Sequence, residues 1–156
     1  MVRKIDENFL RFARIARRDL KIDVLKIRGG GAAGGAGAGA VAFLGAELRP
    51  GIDLVLKAVD FEKKIKGASL ILTGEGRIDR QTLQGKTISG VARKAAAQKI
   101  PVLAFCGETG PGHEGVRRLG VSKVVALRTP GMNRGESMKK AGPLLKKRVA
   151  DTLILV

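Results

Sequence analysis

Ala68-Ser69-Leu70-Ile71-Leu72-Thr73, followed by Gly74-Glu75-Gly76-Arg77-Ile78-Asp79, is the stretch whose character decides the fold. Its first half is a short apolar run that enters a glycine-rich turn, as a buried parallel strand does. Downstream, Lys86–Gln98 has helical spacing, with Ile88, Val91, Ala92 and Ala95 on one face. Ile100–Phe105 predicts a second buried strand, His113–Leu119 a short helix and Lys123–Leu127 a third strand. Glu136–Leu153 predicts a closing helix carrying Met138, Ala141, Leu145, Val149 and Leu153 on one face. Pro143 should kink or restart it, because proline lacks the N–H that a helix interior uses. The order is β-α-β-α-β-α. Parallel strands need crossovers, and right-handed crossovers place helices on both faces of the sheet. The expectation is therefore an α/β fold with a short parallel sheet in residues 68–156. Three strands are few, so either the sheet is small or it takes strands from elsewhere.

Upstream of Ala68 the pattern is mainly helical. Ile5–Leu20 is amphipathic, with Ile5, Phe9, Phe12, Ala13, Ala16 and Leu20 at helical spacing and basic residues opposite. Ile22–Ile27 can form a short strand. Gly29–Gly39 contains only Gly and Ala. Ala33–Leu48 is expected to continue from it as a helix, ended by Arg49-Pro50-Gly51, and Ile52–Val59 has a second helical pattern. The change of pattern after Lys66-Gly67 suggests a division into segments 1–67 and 68–156.

Composition narrows the classes. In 156 residues, 44% apolar content allows a core, but five Phe with no Trp or Tyr make it aliphatic and rich in small residues. Thirty Lys and Arg against fourteen Asp and Glu give a net charge of +16, a field that attracts anions of any kind. Nine of the basic residues lie in the first 28 positions and six after Gly131, a spread that favours solvated helix faces over a nucleic-acid footprint. Single-strand binders also need aromatic platforms, for which there is almost no material. Cys106 and His113 are the sole residues of their types, so neither a disulfide framework nor a zinc cluster can be assembled. Met1–Arg18 does not resemble a signal peptide, and no apolar run approaches membrane-spanning length. A cytoplasmic protein with no membrane association is the expectation.

The densest chemistry is Thr73–Asp79, continued by Gln81-Thr82 and Gly85-Lys86-Thr87. It emerges where ligands bind in open α/β sheets, at the C-terminal end of a strand. Phosphoryl transfer needs a carboxylate to take a hydroxyl proton or hold Mg²⁺, and cations to neutralise phosphate charge. Glu75, Asp79, Arg77 and Lys86 are groups of those kinds. An ordinary turn with surface ion pairs is the plainer alternative. Gly85-Lys86-Thr87 is not a P-loop, because Arg80 stands where the motif needs its first glycine. Gly29, Gly31 and Gly34 fit a dinucleotide fingerprint, but no convincing second strand follows before Ala68. That tract is better taken as a glycine-rich start to a helix, whose free amides at Gly34, Gly35 and Gly37 would favour an anion. Gly107–His113 follows the second strand on the same sheet edge and is able to help close a ligand cleft.

These residues carry a resemblance. Gly31–Ala38, Ala42–Asp53 and Thr73–Lys86 occur in this order and at close to this spacing in bacterial glycerate kinases of the two-domain type. The chain resembles the C-terminal part of that family over nearly its whole length, most clearly from Gly29 to Gly107. The resemblance implies ATP- and Mg²⁺-dependent phosphorylation of D-glycerate to 2- or 3-phosphoglycerate. It implies two α/β lobes, with residues 68–156 part of a Rossmann-like three-layer lobe and residues 1–67 belonging to the other. In such a site Glu75 and Asp79 are expected as the catalytic carboxylates, one or the other as general base or Mg²⁺ ligand, and Gly74, Gly76, Arg77, Gln81 and Lys86 as substrate- or phosphate-binding residues. No metal ligands are assigned. Family members are more than twice this long. Little activity is therefore expected of the chain alone, and a homo-oligomer or a second chain would complete it. The rival expectation is a basic anion- or nucleic-acid-binding module that keeps the fold without catalysis.

Overall fold

The computed structural model describes residues 2–154. The chain divides into two compact units, Met1–Arg49 and Pro50–Val156.

The first unit is two helices and a turn. α1 spans Val2–Asp19, a 3₁₀ turn spans Val24–Lys26, and α2 spans Ala32–Leu44. Its core is small: Ala13, Ala16, Val24, Ala38 and Ala42 are buried, with Phe9, Phe12, Ile22 and Ile27 packed around them. Alanine at these positions lets helix backbones approach closely. Ile22–Ile27 is not a strand. Val24 alone is fully buried there while Leu25 is exposed, so the segment inserts one side chain into the core and coils around it. α2 ends at Leu44, earlier than expected, because Gly45 takes the left-handed conformation (φ 62°) that caps helices. At its start Ala33, Gly34 and Gly35 are also left-handed, with φ of 51°, 68° and 91°. Regular helical geometry begins only after them.

The second unit is the expected α/β layer structure. α3 (Gly51–Ala58) and α4 (Phe61–Lys64) precede β1 (Ile71–Ile78). Then come a 3₁₀ turn at Thr82–Gln84, α5 (Thr87–Ala97) and β2 (Val102–Thr109). A 3₁₀ segment at His113–Leu119, β3 (Val121–Ala126), α6 (Arg134–Lys139) and α7 (Ala141–Leu153) complete it. The strands form one parallel sheet in the order β1-β2-β3. Both faces are covered. On one, Ile71, Val102, Ala104, Cys106 and Val121 pack against Ile88, Val91, Ala92 and Ala95 of α5. On the other, Leu103, Phe105 and Leu127 pack with Leu144 and Val149 of α7. The central strand β2 is buried on both faces from Val102 to Cys106, which explains why it lacks apolar–polar alternation, whereas the outer strands β1 and β3 are buried only in part, and Leu72, expected in a buried strand, is exposed.

Leu56 and Ile65 belong to the same core as α5, which is why contacts divide the chain at 49/50, whereas the change of sequence pattern falls at 67/68. Pro143 restarts the helix: α6 stops at Lys139, and the proline sits in the first turn of α7, where its missing N–H is not needed. The single apolar face expected over Glu136–Leu153 is accordingly broken. Met138 is 69% exposed, while Leu144, Val149 and Thr152 do the packing. The glycine stretch after Thr73 is not a turn. β1 runs straight through Gly74-Glu75-Gly76-Arg77 to Ile78.

Ile88, fully buried between α5 and the sheet, lies at the centre of the larger core. Ile88→Ala should destabilise the chain by about 2–5 kcal/mol. Urea unfolding followed by circular dichroism measures this, and a loss under about 1 kcal/mol would show that α5 is not the element that closes the core.

Candidate functional site

β1 and β2 stay paired through the glycine stretch of β1. Gly74 pairs with Phe105, Glu75 with Cys106, Arg77 with Glu108 and Ile78 with Thr109. Two glycines permit this. A Cβ on Gly74 would stand 2.8 Å from the Phe105 carbonyl oxygen, and one on Gly107 would stand 2.7 Å from the Gly76 carbonyl oxygen. Real Cβ atoms do not approach backbone so closely, so any other residue would push the strands apart.

Strand alternation then splits the expected site residues between faces. Gly74 and Gly76 line an apolar groove of about 590 Å³ with Leu72, Phe105, Leu127, Leu145 and Val149, on the α7 side. Glu75 points the other way, toward the start of α5. Its Oε1 accepts a hydrogen bond from the Ile88 N–H at 3.1 Å, and its Oε2 accepts one from the Thr82 hydroxyl at 3.3 Å. Thr82 is fully buried, and its Oγ1 in turn accepts the Asp79 N–H at 3.3 Å.

The remaining charged residues form a row at the C-terminal ends of the strands. Asp79 Oδ2 lies 3.1 Å from Arg77 Nε, and Arg77 Nη1 lies 3.2 Å from Glu108 Oε1. Arg128 Nη1, just beyond β3, donates to Glu108 Oε2 at 2.7 Å. Asp79 Oδ1 accepts the Gln81 N–H at 2.8 Å, and Lys86 Nζ donates to Gln81 Oε1 at 3.1 Å. Gly110 leaves room for the row, since a Cβ there would lie 2.7 Å from Arg77 Nη2. All three strands thus contribute to one edge. Sequence reasoning placed Arg77, Asp79, Gln81 and Lys86 together and did not single out Arg128 or the bridging role of Glu108. The available signal was position, since both sit at or just past a strand's C-terminal end.

Among the described residues, no three His, Cys, Asp or Glu side chains gather as metal ligands. Both oxygens of Glu75, Asp79 and Glu108 already accept a bond from the chain. These carboxylates do not form a ready Mg²⁺ cage. Likewise among the described residues, no helix is long and apolar enough to cross a membrane.

The glycine tract Gly34, Gly35 and Gly37 lies in the first unit. A Cβ on Gly35 would meet the Phe9 ring at 2.5 Å, and one on Gly37 would meet the Leu48 side chain at 3.0 Å. Packing accounts for these two glycines, and Gly34 has open space beside it.

Comparison with known proteins bears directly on this arrangement. The sequence profile described as the glycerate kinase family matches residues 1–156. This chain belongs to the glycerate kinase family. It is 42% identical to the glycerate kinase of Halalkalibacterium halodurans, over 99% of this chain and 40% of that protein. It is 39% identical to the glycerate 2-kinase of Escherichia coli, over 83% of this chain and 34% of that protein. A crystal structure described as glycerate kinase 2 from Salmonella typhimurium LT2 superposes with a TM-score of 0.63 at 37% identity, covering 94% of this chain and 38% of that one. The chain therefore spans about two fifths of the length of the relatives it matches.

Within this glycerate kinase-family chain, Cys106 sits on the central strand opposite Glu75 and is buried. Burial pushes its thiol up to about 11, with the nearby carboxylates of Glu108 and Glu75 adding smaller upward shifts against a backbone hydrogen bond that lowers it. The thiolate is the reactive form, so Cys106 should be inert in the folded chain. From the ordinary value of 9.0, the shift implies about 100-fold less thiolate near pH 8, before access is counted. Alkylation with iodoacetamide at pH 8 should accordingly be at least about 100-fold slower in buffer than in denaturing urea, and equal rates would place Cys106 at the surface.

Proposed function

We propose that this chain carries the phosphate-handling face of an ATP-dependent kinase acting on D-glycerate, yielding 2- or 3-phosphoglycerate. The observation behind the reading is the charged row from Asp79 through Arg77 and Glu108 to Arg128, set along the C-terminal ends of all three parallel strands. Ligands in open α/β sheets bind at that edge.

In this reading Arg77 and Lys86 bind phosphate or the substrate carboxylate. Arg77 offers a planar fork and Lys86 a compact charge held by Gln81. Gly76 presents backbone with open space beside it, whereas at Gly74 the Phe105 carbonyl already fills the place of a side chain, so Gly74 contributes through strand pairing. Asp79 is the carboxylate best placed for proton removal. When Arg77 turns toward an oxyanion, Asp79 Oδ2 is released to accept a hydroxyl proton. Glu75 is worse placed, because both its oxygens are engaged by α5 and Thr82. Magnesium bound to nucleotide phosphates needs only one or two protein carboxylates. Here each candidate would first exchange an existing partner. Residues 68–156 serve as part of a Rossmann-like lobe, with residues 50–67 packed into its core, and the residues before them as part of the other. What the longer relatives carry outside the matched region is part of the complete site, whether it is joined to these residues, lies on a second chain or comes from a further copy of this one, and the surroundings are cytoplasmic.

The reading makes two measurable claims. Arg77→Ala should weaken ATP or phosphoglycerate binding by roughly 1.5–3 kcal/mol, the scale of a hydrogen bond to a charged group. Lys147→Ala, on the exposed face of α7, should change it by almost nothing. Isothermal titration at about 0.15 M salt separates local contact from long-range attraction. Equal losses from both variants, together with steeply salt-dependent binding of duplex DNA, would instead mark a basic anion-binding module. A coupled assay with ATP, Mg²⁺ and D-glycerate should find turnover by the 156-residue chain well below the usual enzyme range of about 1–10³ s⁻¹. Turnover inside that range would show that no further lobe is needed.

A further inference from the structure

We infer that Glu75 is a positioning residue that ties three pieces of the candidate site together, and not its general base. The pieces come from different elements. Ile88 N–H belongs to the first turn of α5, where backbone amides lack intrahelical partners. Thr82 opens the 3₁₀ turn Thr82–Gln84. Asp79 follows β1. One carboxylate on β1 accepts from the first two, and Thr82 Oγ1 passes the connection on to the Asp79 amide.

The energetics favour such a role. An anionic side chain at a helix N-terminus is stabilised by the aligned peptide dipoles, and it satisfies an amide that would otherwise lack a partner. Thr82 is fully buried, so its hydroxyl has no water to fall back on, and removing either neighbour leaves a polar group unmatched. The two hydrogen bonds engage both oxygens of Glu75, so a ligand could use this carboxylate only by displacing Ile88 N–H or Thr82. Its effect runs through Asp79, whose carboxylate orients Arg77.

A base and a positioning residue answer differently to substitution. Glu75→Gln keeps an oxygen for the Ile88 N–H and keeps Thr82 tied by a reversed bond, the amide donating to Thr82 Oγ1 at the cost of an acceptor for the hydroxyl proton, but it cannot accept a proton. Glu75→Ala removes both contacts. Amide exchange read by NMR comes first, because it needs no ligand. In Glu75→Ala, exchange should accelerate at Ile88 and also at Asp79, roughly tenfold or more, while Glu75→Gln stays within roughly threefold of the parent. If only Ile88 responds, there is no connection through Thr82 and the inference fails. Should Glu75→Ala not fold, Thr82→Val removes the same link with little change of volume, and it should accelerate Asp79 in the same way.

The second readout rests on the proposed kinase reading. ATP binding by isothermal titration should weaken roughly tenfold in Glu75→Ala, and Glu75→Gln should restore it to within roughly threefold of the parent. A Gln variant as impaired as Ala would show that the charge itself meets the ligand. An Ala variant with parental affinity would reduce Glu75 to a helix cap with no bearing on the site. If the parent chain binds no ATP, the kinase reading is lost, while the exchange measurement still decides whether Glu75 couples α5 to Asp79.

Discussion

The close approach of β1 and β2 at Gly74 and Gly107 is what the rest of the second unit depends on. Backbone carbonyls occupy the space that side chains would need, at 2.8 and 2.7 Å from the missing Cβ positions. The strands can therefore stay paired through the glycine stretch, to Ile78 and Thr109. That extension carries Arg77, Asp79 and Glu108 out past the apolar layers to the sheet's end. A bulkier residue at either glycine would separate the strands just before these residues and undo the alignment of Arg77 with Glu108.

The same extension explains how a chain with so little aromatic material supports a polar edge. The core on the α5 side is built from Ile, Val, Leu, Ala and Cys, with alanines at the contact small enough for the helix to lie close to the sheet. Ile78, fully buried, returns the chain to that core after the exposed stretch from Gly74 to Arg77. Apolar anchors thus stand on both sides of the charged residues. Glu75 and Thr82 complete the frame from the α5 side, where buried polar groups have to find partners within the protein.

Much of this fold was legible in the sequence. Short aliphatic runs alternating with helical spacing predict a parallel sheet, and the order of elements from β1 onward follows, although burial on both faces holds for β2 alone. The errors have local causes. Ile22–Ile27 has strand-like composition but no neighbouring strand, and burial of one residue, Val24, determined its shape. The Gly74–Arg77 stretch has the composition of a turn, and only the approach of β2 makes those glycines strand residues. Gly45 was available as a helix stop and was outweighed by the apolar residues after it. In the site, the residue types at Arg77, Asp79, Gln81 and Lys86 indicated their chemistry directly. What one sequence cannot display is pairing across strands. The bridge from Arg77 to Glu108 joins residues 31 positions apart, and Glu75 reaches an amide 13 positions away. The separation of Glu75 from Gly74 and Gly76 likewise follows from strand alternation, which stays hidden until the strand is known to be continuous.

The alternation of charge along the row has a kinetic consequence. Asp79, Arg77, Glu108 and Arg128 sum to zero, on a chain whose net charge is +16. Attraction and recognition are thereby assigned to different parts of the molecule. The general positive field speeds the arrival of any anion and fades as salt rises. At the row itself an arriving anion meets guanidinium groups already bound to carboxylates, so it has to trade places with a resident partner. Arrival will be fast and indiscriminate, while departure will depend on how well the newcomer replaces Glu108 or Asp79. A compact, multiply charged oxyanion makes that exchange well and a diffuse one poorly. Selectivity at this edge would reside in the dissociation rate, out of reach of the field that brings ligands in.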